Sequence, residues 1–335
     1  MREQLPGSYK ALVVRETPGG ITRNVEARKL ESLPENGVLI RVKYSSLNFK
    51  DALSATGNKG VTSVYPHTPG IDAAGLVVRS ESKRFNKGDR VIVTSYDLGM
   101  NTPGGFGEFI RVPAEWVVPL PDGLSLKESM ILGTAGFTAA YGVMKIIEGG
   151  ITPGSMPVVV TGATGGVGTI AVTLLSQLGY GVTAVTGKNH KHDFIRKIGA
   201  SEVLGREEVS DSSGKLMLSS RWSAAVDTAG GKILDTVIRQ TAHNGVVACC
   251  GNVLGHELKT NIYPFILRGV TLAGIDSGNC LMPLRREIWR KLASAWKPKH
   301  LPDIYHEINL DQLDDEIELM LDGKQTGRVL VNLPG

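Results

Sequence analysis

Cysteine is scarce in this chain of 335 residues, where it occurs only as Cys249, Cys250 and Cys280. Three cysteines cannot build the disulfide framework of a small secreted domain, so we expect a cytoplasmic protein with reduced thiols. The first ten residues lack the basic flank and the apolar segment of a signal peptide. No uninterrupted apolar run approaches the roughly 18 residues of a membrane span, so we expect no membrane partner.

A dominant charge is also missing, because 37 basic residues face 33 acidic ones and the net charge is +4. Domains that bind nucleic acids usually concentrate basic residues on one face, so we expect a small-molecule substrate and no nucleic acid. Glycine is the abundant residue. The chain has 41 glycines, where average usage of about 7 % would give roughly 23. This excess favours tight turns, close approach of a ligand to the backbone, or both.

The first part of the chain, to about residue 125, has the pattern of a β-rich domain. Short segments rich in valine, isoleucine and leucine are bounded by turn residues, which is typical of a barrel or a sandwich. The predicted strands are Lys10–Val14, Gly37–Val42, Gly75–Val78 and Arg90–Val93.

Helical and extended apolar segments alternate in the second part, which begins with helices over Leu126–Leu132 and Phe137–Ile147. The alternation predicts an α/β fold with a doubly wound parallel sheet. A final strand, Arg328–Val331, needs a partner, and we expect it to rejoin the β-rich part. The predicted strands are Pro157–Thr161, Gly181–Val185, Ser223–Asp227, Gly245–Cys249 and Val270–Gly274, and the predicted helices are Thr169–Leu178, His192–Ile198, Ile233–Gln240, Ile262–Leu267, Arg285–Trp296 and Leu310–Leu321.

A glycine-rich loop, Thr161–Gly168, directly follows a predicted strand and opens a predicted helix. Glycines permit a tight turn and the close approach of a pyrophosphate, and the helix N-terminus supplies N–H groups and the positive end of its dipole. We therefore expect Thr164, Gly165, Gly166 and Val167 to bind the pyrophosphate of a dinucleotide. The alternative is a glycine turn that serves only the packing of helix on strand.

The end of the second strand of this fold selects the cofactor. Proteins that bind NAD usually carry Asp or Glu about 20 residues past the loop, where the carboxylate binds the ribose 2′-hydroxyl. Here the chain has Thr186, Gly187 and Lys188, and no acidic residue follows before Asp193. A hydroxyl and an ammonium attract a 2′-phosphate, so we predict NADPH. The alternative for Lys188 is an ordinary solvated loop lysine.

These motifs resemble the medium-chain dehydrogenase/reductase superfamily over essentially the whole chain. The residues that carry the resemblance are Pro69–Gly75, Gly88–Val91, Gly133–Ala139 and the glycine loop. Within it, the sequence looks most like the zinc-free quinone oxidoreductase branch and its NADPH-dependent acrylyl-CoA reductase group, on Ser45–Leu53, Ile131–Ala139, Pro264–Arg268 and Gly274–Ser277.

The resemblance implies a domain organisation. It implies a GroES-like β-barrel catalytic domain beginning in residues 1–127, a Rossmann NADPH-binding domain in residues 128–276, and a return to the catalytic domain in residues 277–335. It also implies an active site in the cleft between the domains, and a homodimer.

A catalytic zinc is not expected. The zinc-dependent relatives place a cysteine ligand where this chain has Asn48, and a His-Glu pair where it has Ile71 and Asp72. They also carry a lobe of four clustered cysteines, which this sequence lacks. Asparagine and isoleucine are not plausible zinc ligands, so we predict no metal.

The resemblance also assigns site residues. Asn48 is the candidate for polarising a substrate carbonyl or positioning the nicotinamide, although asparagine also suits a turn between a strand and a helix. Phe49 would line the nicotinamide or substrate pocket, where relatives often carry tyrosine. Thr134 and Thr138 would bind the nicotinamide or the substrate, and capping of a helix is their alternative role. The remaining expected contacts to the cofactor or the cleft are Asn252, Ile266, Ser277, Asp322 and Arg328.

Other charged residues leave alternatives open. Lys50 and Asp51 suggest an acid–base pair or, as we favour, a local ion pair in the first turn of a helix. Arg285, Arg286 and Arg290 form a basic stripe that suits either the phosphates of coenzyme A or a solvated helix face. Glu202 stands where relatives can carry a phosphate-binding arginine, which weakens one 2′-phosphate contact.

The expected reaction follows from these assignments. Without a metal the chain lacks a Lewis acid for alcohol oxidation, whereas hydride transfer to an activated C=C bond needs only hydrogen-bond donors at the carbonyl oxygen and a proton at the α-carbon. We expect reduction of an α,β-unsaturated acyl-CoA such as acrylyl-CoA. The alternatives are a quinone or enone reductase, and an NADPH-binding sensor or structural protein without turnover.

Overall fold

The computed structural model describes residues 5–333, and the chain divides into two compact units. Unit 1 consists of Met1–Thr134, Gly278–Ala293 and Tyr305–Gly335, and unit 2 of Ala135–Ser277 and Ser294–Ile304. Residues 1–4 and 334–335, which the expected domain segments include, lie outside the described residues. The expected segments change at residues 127 and 276, whereas the two units change at 134 and 277 and unit 2 also includes residues 294–304.

The strands, in chain order, are β1 (Ser8–Thr17), β2 (Gly20–Lys29), β3 (Val38–Leu47), β4 (Asp72–Ser80), β5 (Arg90–Thr94), β6 (Phe109–Val112), β7 (Val118–Pro119), β8 (Val158–Thr161), β9 (Val182–Val185), β10 (Glu202–Leu204), β11 (Trp222–Asp227), β12 (Thr241–Cys249), β13 (Thr271–Gly274), β14 (Tyr305–Ile308) and β15 (Arg328–Asn332). The α-helices are α1 (Phe49–Ala55), α2 (Leu126–Glu148), α3 (Gly166–Gln177), α4 (His192–Lys197), α5 (Gly231–Gln240), α6 (Tyr263–Arg268), α7 (Met282–Leu292) and α8 (Leu313–Leu321).

Unit 1 is built on a seven-stranded sheet in the order β14-β15-β3-β4-β5-β7, with β6 paired to β3, and on the hairpin β1–β2. The pairing is antiparallel except between β14 and β15. Alternate side chains of β1, β3, β4 and β5 share one apolar core. β15 pairs with β3 from Val329 opposite Leu47 to Asn332 opposite Tyr44, which confirms that the final strand rejoins the β-rich part.

Unit 2 is built on a parallel sheet in the order β10-β9-β8-β11-β12-β13. β8 and β11 are buried along their whole length, because helices cover both faces of such a sheet. The strand order reverses between β8 and β11. Parallel sheets of this order bind dinucleotides outside the carboxyl ends of the strands at that reversal.

Helix α2 is broken at Gly133, where φ is 53° and ψ is −156°. A Cβ atom at Gly133 would overlap the carboxylate of Asp72 and the hydroxyl of Ser46, so this position requires glycine for space as well as for backbone conformation. By length and composition α2 could cross a membrane, which the search for uninterrupted apolar runs missed. Since 78 % of its most apolar window is buried inside the structure, α2 has the burial of a core helix.

Some elements were not predicted from the sequence. β2 is half-exposed and carries alternating polar residues, so it lacks the apolar character that marks the other strands. β6, β7, β10 and β14 contain two to four residues each and are too short for a clear pattern. The helix expected over Arg285–Trp296 runs instead over Met282–Leu292.

Candidate functional site

The glycine-rich loop joins β8 to α3 in unit 2, as the sequence predicts. Gly162 has a φ of 61°, and a Cβ atom there would overlap the hydroxyl of Thr228. A Cβ atom at Gly168 would overlap the carbonyl oxygen of Gly162, so these two glycines serve the packing of the loop on itself and its neighbours. Gly165 and Gly166 remain partly exposed at the start of α3, where the first amides of a helix have no intrahelical acceptor.

The carboxyl end of β9 lies next to this loop. The hydroxyls of Thr164 and Thr186 are buried 3.0 Å apart, and the amide of Lys188 donates to Thr186 Oγ1 over 3.1 Å. Gly187 is exposed and Lys188 is half-buried. The structure thus places the residues predicted for the pyrophosphate next to those predicted for the 2′-phosphate. Together with Arg206, which was not predicted, we call this group the phosphate cradle: Thr164, Gly165, Gly166, Val167, Thr186, Gly187, Lys188 and Arg206.

Arg206 is the member of the cradle that sequence reasoning missed. It follows β10 by two residues, and a Cβ atom at Gly187 would lie 2.8 Å from its Nε atom, so the guanidinium packs against Gly187. Burial, Lys191 and Arg206 together lower the pKa of Lys188, which shows that cations are concentrated here. Arg206 was missed because β10, which lies parallel beside β9 and carries Arg206 just past its carboxyl end, has only three residues and shows no clear pattern in the sequence.

Glu202 does not face the cradle. It opens β10 opposite Thr183, and its carboxylate accepts a hydrogen bond from Thr183 Oγ1 over 2.9 Å. The contact that an arginine at position 202 would make is therefore missing, as predicted from the sequence, and Arg206 places a cation at the other end of the same short strand.

Asp227 lies at the reversal of strand order and was also missed. Its Oδ1 accepts from Thr161 Oγ1 over 2.6 Å, and its Oδ2 accepts from the amide of Gly230 over 2.9 Å. Burial raises the pKa of this carboxyl. These bonds hold the carboxyl ends of β8 and β11 together beneath the glycine loop.

The other residues of unit 2 that were predicted from the resemblance occupy three places. Thr138 on α2 donates to Ser277 Oγ over 2.8 Å. Asn252 is exposed in the turn after β12, and Ile266 is 63 % exposed on α6. Their contacts to a cofactor stay predictions.

In unit 1, Asp72 at the start of β4 is the centre of a buried polar network. Its carboxylate accepts from Ser46 Oγ at 2.7 Å, from Asn48 Nδ2 at 2.8 Å, and from both the amide and the hydroxyl of Thr134. We call the connected residues the Asp72 cluster: Ser46, Asn48, Asp51, Asp72, Thr134 and Arg328.

Arg328 is the cation of this cluster and is 2 % exposed. It donates to the carbonyl oxygens of Ile131 and Leu47 and to Asn48 Oδ1, and its Nη2 lies 3.8 Å from Asp72 Oδ2. The guanidinium therefore contacts Asn48 and Asp72, and its predicted contact to a cofactor stays a prediction.

Asn48 lies at the junction of β3 and α1. One hydrogen of its Nδ2 bonds to Asp72, and the other is shared between the carbonyl oxygen of Ser46 at 3.2 Å and Asp51 Oδ2 at 3.3 Å. The neighbouring Phe49 side chain is 40 % exposed, and its contact to a nicotinamide or substrate stays a prediction.

Asp51 is fully buried, and the expected ion pair with Lys50 is wrong. Its Oδ1 accepts from the amides of Ile71 at 2.7 Å and Gly70 at 3.2 Å, and its Oδ2 accepts from the amide of Asn48 at 2.8 Å. Lys50 is exposed. Burial and the charge of Asp72 raise the pKa of Asp51 to about 7. The ion pair does not form because the Asp51 carboxylate is buried and accepts hydrogen bonds from backbone amides, whereas Lys50 lies at the surface.

The basic stripe expected on a helix is not a continuous surface. Arg285 on α7 is 0 % exposed, whereas Arg286 and Arg290 are exposed. A role of Arg285 at the phosphates of coenzyme A is therefore wrong. Asp322 is exposed at the end of α8 and pairs with Lys324 over 2.8 Å, and its contact to a cofactor stays a prediction.

The side chains that could coordinate a metal ion can be compared with the prediction that none is bound. Among residues 5–333, no group of three or more His, Cys, Asp or Glu side chains is placed to hold a metal ion. Ile71 is buried, and the amide of Asn48 is committed to the Asp72 cluster. Independence from zinc is taken up as part of the proposal below.

Two family models match this chain. The alcohol dehydrogenase GroES-like domain matches residues 34–122, and the zinc-binding dehydrogenase family matches residues 166–296. Putative quinone oxidoreductase YhfP of Bacillus subtilis is 43 % identical over 326 residues, which cover 97 % of this chain and 99 % of that protein. The chain belongs to the medium-chain dehydrogenase/reductase superfamily.

Other members of the superfamily are similarly close. Acrylyl-CoA reductase AcuI of Ruegeria pomeroyi is 38 % identical over 327 residues, covering 97 % of this chain and 99 % of that protein. The structure of the yhdH oxidoreductase from Salmonella enterica in complex with NADP has a TM-score of 0.94 at 39 % identity, covering 97 % of this chain and 99 % of that chain. The structure of yhfP with NAD bound has a TM-score of 0.95 and covers 98 % and 100 %.

These matches confirm the superfamily and the α/β fold class, with a GroES-like domain and a Rossmann-like parallel sheet. Two of the matched structures are described as holding NADP or NAD. The chain is thus related throughout its length to oxidoreductases, including one named as an acrylyl-CoA reductase and one named as a quinone oxidoreductase.

Proposed function

We propose that this protein catalyses the NADPH-dependent, zinc-independent reduction of an activated C=C bond, with a small α,β-unsaturated acyl-CoA such as acrylyl-CoA as its preferred substrate. The observation that carries the cofactor part is the approach of Arg206 to Gly187, beside Thr186 and Lys188. A hydroxyl and two cations at one strand end fit a 2′-phosphate. The NADP complex of the 39 % identical yhdH protein supports the same cofactor.

The cradle fits the rest of the dinucleotide as well. Gly165, Gly166 and Val167 are partly exposed at the start of α3, where backbone amides and the helix dipole favour a pyrophosphate. We assign contacts nearer the nicotinamide to Thr134, Thr138 and Ser277. By resemblance, Asn252, Ile266 and Asp322 are further cofactor contacts, and Arg328 supports the site through Asn48.

The proposed reduction of a C=C bond requires few groups from the protein. When bound, NADPH supplies the hydride that reduces the β-carbon, and negative charge develops on the carbonyl oxygen of the substrate. We assign stabilisation of that oxygen to Asn48, whose Nδ2 would exchange its longer hydrogen bonds to Ser46 and Asp51 for one to the substrate. Phe49 offers an exposed apolar surface and has no hydroxyl to give, so we assign protonation of the α-carbon to solvent.

Zinc independence is supported by the Asp72 cluster. In this chain the residues that correspond to metal ligands are Asn48, which is hydrogen bonded, and Ile71, which is apolar. The cluster already contains a buried cation, Arg328, opposite its carboxylates. We expect stoichiometric zinc to be absent from the purified protein and a chelator to leave its activity intact.

A quinone or enone reductase is the second candidate, favoured by the 43 % identity with putative quinone oxidoreductase YhfP. A non-catalytic NADPH-binding sensor is the candidate of another class. One experiment separates the three, namely the oxidation of NADPH and of NADH in the presence of acrylyl-CoA, crotonyl-CoA, simple enones and quinones. Faster turnover of quinones than of acyl-CoA substrates would replace our proposal by the second candidate, and tight binding without any turnover would replace it by the third.

We also propose that the protein is a cytoplasmic homodimer that forms through the edge of the parallel sheet in unit 2. Within the described residues, β13 pairs with β12 on one side, and its other edge carries no strand. Large exposed apolar side chains lie near this edge in sequence and on α6: Val253, Leu254, Ile262, Tyr263, Ile266 and Leu267.

A second copy of the chain suits this surface because an unpaired edge can be continued by the same edge of another copy about a two-fold axis. Light scattering should give the mass of a dimer, and Leu267→Lys should shift the protein toward monomer. Leu319→Lys, an exposed apolar position on α8 of unit 1, is the control that should remain dimeric. A wild-type monomer would refute the proposed interface.

A further inference from the structure

The carboxyl ends of β9 and β10 meet at Gly187 and Arg206. Val185 pairs with Leu204 in the parallel sheet, and the same register carried two residues further sets Gly187 beside Arg206. Because Gly187 has no side chain, the guanidinium can lie across the end of β9, where a Cβ atom would come within 2.8 Å of its Nε. Gly187 and Arg206 are both exposed, so the guanidinium is accessible to a ligand.

Two lysines bring further positive charge to this strand end. Lys188 is half-buried, and the amide of Lys191 donates to the carbonyl oxygen of Lys188 over 2.9 Å, so both side chains leave one tight turn after β9. Burial and the charges of Lys191 and Arg206 lower the pKa of Lys188, which shows that the three cations are close together. A lysine ammonium is a point charge on a flexible stem, so it can follow a phosphate over a range of positions.

The sequence around β9 contains no acidic residue. From Gly149 to His192 there is no Asp or Glu, and Asp193, which follows, pairs with Arg196 over 3.1 Å. In folds that prefer NAD, a carboxylate just after this strand binds a ribose hydroxyl, and its charge repels a phosphate. Here a bound ribose would meet no such carboxylate after β9 at its 2′-oxygen or at the neighbouring 3′-oxygen.

The two acidic residues after β10 are engaged within their own turn. The carboxylate of Glu207 lies against Gly205, where an added Cβ atom would overlap it. Glu208 Oε1 accepts a hydrogen bond from the amide of Gly205 over 2.7 Å. Neither of these contacts involves the guanidinium of Arg206, so the strand ends keep positive charge for an anionic ligand.

The nucleotide half of coenzyme A matches this arrangement chemically. It is an adenosine with a 5′-pyrophosphate and a 3′-phosphate, whereas the corresponding half of NADPH has a 5′-pyrophosphate and a 2′-phosphate. The two ligands therefore carry the same anionic groups on the same ribose, and the phosphate differs only in which of two neighbouring oxygens holds it. Flexible ammonium groups and an exposed guanidinium attract a phosphate at either oxygen.

We propose that the phosphate cradle, together with Lys191, also binds the nucleotide half of coenzyme A, so that coenzyme A and its thioesters compete with NADPH. The 3′-phosphate would lie at Lys188, Lys191 and Arg206, and the pyrophosphate at the glycine-rich loop. This inference rests on the proposed function, because acyl-CoA substrates and products bring this nucleotide to the protein. Such competition slows the reaction as coenzyme A and its thioesters accumulate relative to NADPH.

The test measures displacement of NADPH from the protein without turnover, with the fluorescence of bound NADPH as the readout. We expect coenzyme A to raise the apparent Kd for NADPH in proportion to its concentration, as for two ligands that share one site. Dephospho-coenzyme A lacks only the 3′-phosphate and should displace NADPH at least about tenfold more weakly, because the charged hydrogen bonds to that group are lost. Adenosine 3′,5′-bisphosphate and adenosine 2′,5′-bisphosphate should bind within about tenfold of each other, because lysine tolerates both phosphate positions.

Two variants test the location of the displacing ligand. Lys191→Met should weaken the binding of coenzyme A by about fivefold or more, because a charge-assisted contact to the 3′-phosphate is lost. The same variant should leave the binding of dephospho-coenzyme A unchanged. Arg206→Met should have the same selective effect, and it decides the matter if Lys191→Met does not fold. Lys215→Met changes an exposed lysine elsewhere in unit 2 and is the matched control, which should bind every nucleotide like the wild type.

Other outcomes overturn the proposal. Simultaneous binding of coenzyme A and NADPH would show that coenzyme A binds elsewhere. Equal displacement by coenzyme A and dephospho-coenzyme A, or a difference of more than tenfold between the two bisphosphates, would show that the cradle does not accept a 3′-phosphate. If coenzyme A displaces NADPH but no acyl-CoA is reduced, the proposed function fails and the shared site stands. If acyl-CoA is reduced and coenzyme A does not displace NADPH, the shared site alone fails.

Discussion

In unit 2 the candidate ligands stand at strand ends, and all of them except Thr164 and Thr186 keep part of their surface exposed, whereas in unit 1 the polar side chains of the Asp72 cluster are mostly buried and form most of their hydrogen bonds within the fold. The cradle comes mostly from two short stretches of sequence, Thr164–Val167 and Thr186–Lys188. The cluster joins residues as far apart as Asn48 and Arg328, which are separated by 280 positions. We therefore expect mutations in the cradle to weaken cofactor binding with little effect on folding. Mutations in the Asp72 cluster should instead lower the free energy of unfolding. The predictions below test this contrast.

The largest effect is expected for Arg328→Met. The change removes the cation that faces Asp72 and leaves buried acceptors at Asn48, Leu47 and Ile131 without a donor. We expect the free energy of unfolding to fall by about 3–5 kcal/mol, as for other broken buried pairs. Urea denaturation measures it. Arg84→Met, which removes an exposed pair with Glu115, should cost less than about 1 kcal/mol. Equal losses in the two variants would contradict the contrast.

Gly133→Ala should come next. The new methyl group would collide with Asp72 and Ser46 at a backbone conformation that alanine disfavours, so we expect a loss of about 3 kcal/mol in thermal or chemical unfolding. Gly150→Ala separates strain from collision, because Gly150 has a φ of 83° but no atom within 4 Å of the added methyl group. That control should lose about 1–2 kcal/mol. If both glycines cost the same, the packing of Gly133 on the cluster is not what requires it.

Asp51 should make the stability of unit 1 depend on pH. Its pKa of about 7 in the folded protein lies above the value near 3.9 of an unfolded aspartate, so the folded state binds more protons between these values. The contribution of Asp51 to the free energy of unfolding therefore decreases as the pH rises through that window.

Between about pH 5.5 and about pH 8, the free energy of unfolding of the wild type relative to Asp51→Asn should fall by about 1–2 kcal/mol. Asp89→Asn, in an exposed turn at Asn86, is the control without such a trend. A flat difference would show that Asp51 stays ionised throughout.

The smallest effect on folding, and a selective one on binding, is expected for Arg206→Met. Removing a cation from the cradle should raise the KM for NADPH by about tenfold, or about 1.4 kcal/mol, and leave the KM for NADH unchanged. Thermal stability should not change, because Arg206 is exposed. Arg196→Met, an exposed arginine of α4, should have neither effect. A parallel rise for both cofactors would remove Arg206 from the 2′-phosphate site.

Much of the fold could be predicted from the sequence because its signals are local. The apolar runs of β8, β9, β11 and β12, the glycine loop and the helix that follows it each lie within about a dozen residues, and the parallel sheet follows from their alternation. The half-exposed β2 and the strands of two to four residues escaped because their burial depends on partners and not on their own composition.

The candidate site shows the same difference between local sequence signals and contacts that only the fold creates. The position of Thr186 and Lys188 at the end of β9 could be predicted because they directly follow an apolar strand in the sequence, and their contact to a cofactor stays a prediction. Arg206 could not be predicted until β10 was placed beside β9. The ion pair of Lys50 with Asp51 and the surface role of Arg285 were wrong for one reason, namely that charge in a sequence does not say which side chain the fold will bury.

By itself the sequence determined the superfamily and the parallel sheet with its glycine loop, because these follow from short motifs whose geometry is local. Only the tertiary structure decided that Asp72, Asn48, Thr134 and Arg328 form one buried network and that Arg285 donates to the carbonyl oxygen of Thr94. Those contacts join residues 24 to 280 positions apart. They exist because buried polar groups must find partners wherever the folded backbone brings them.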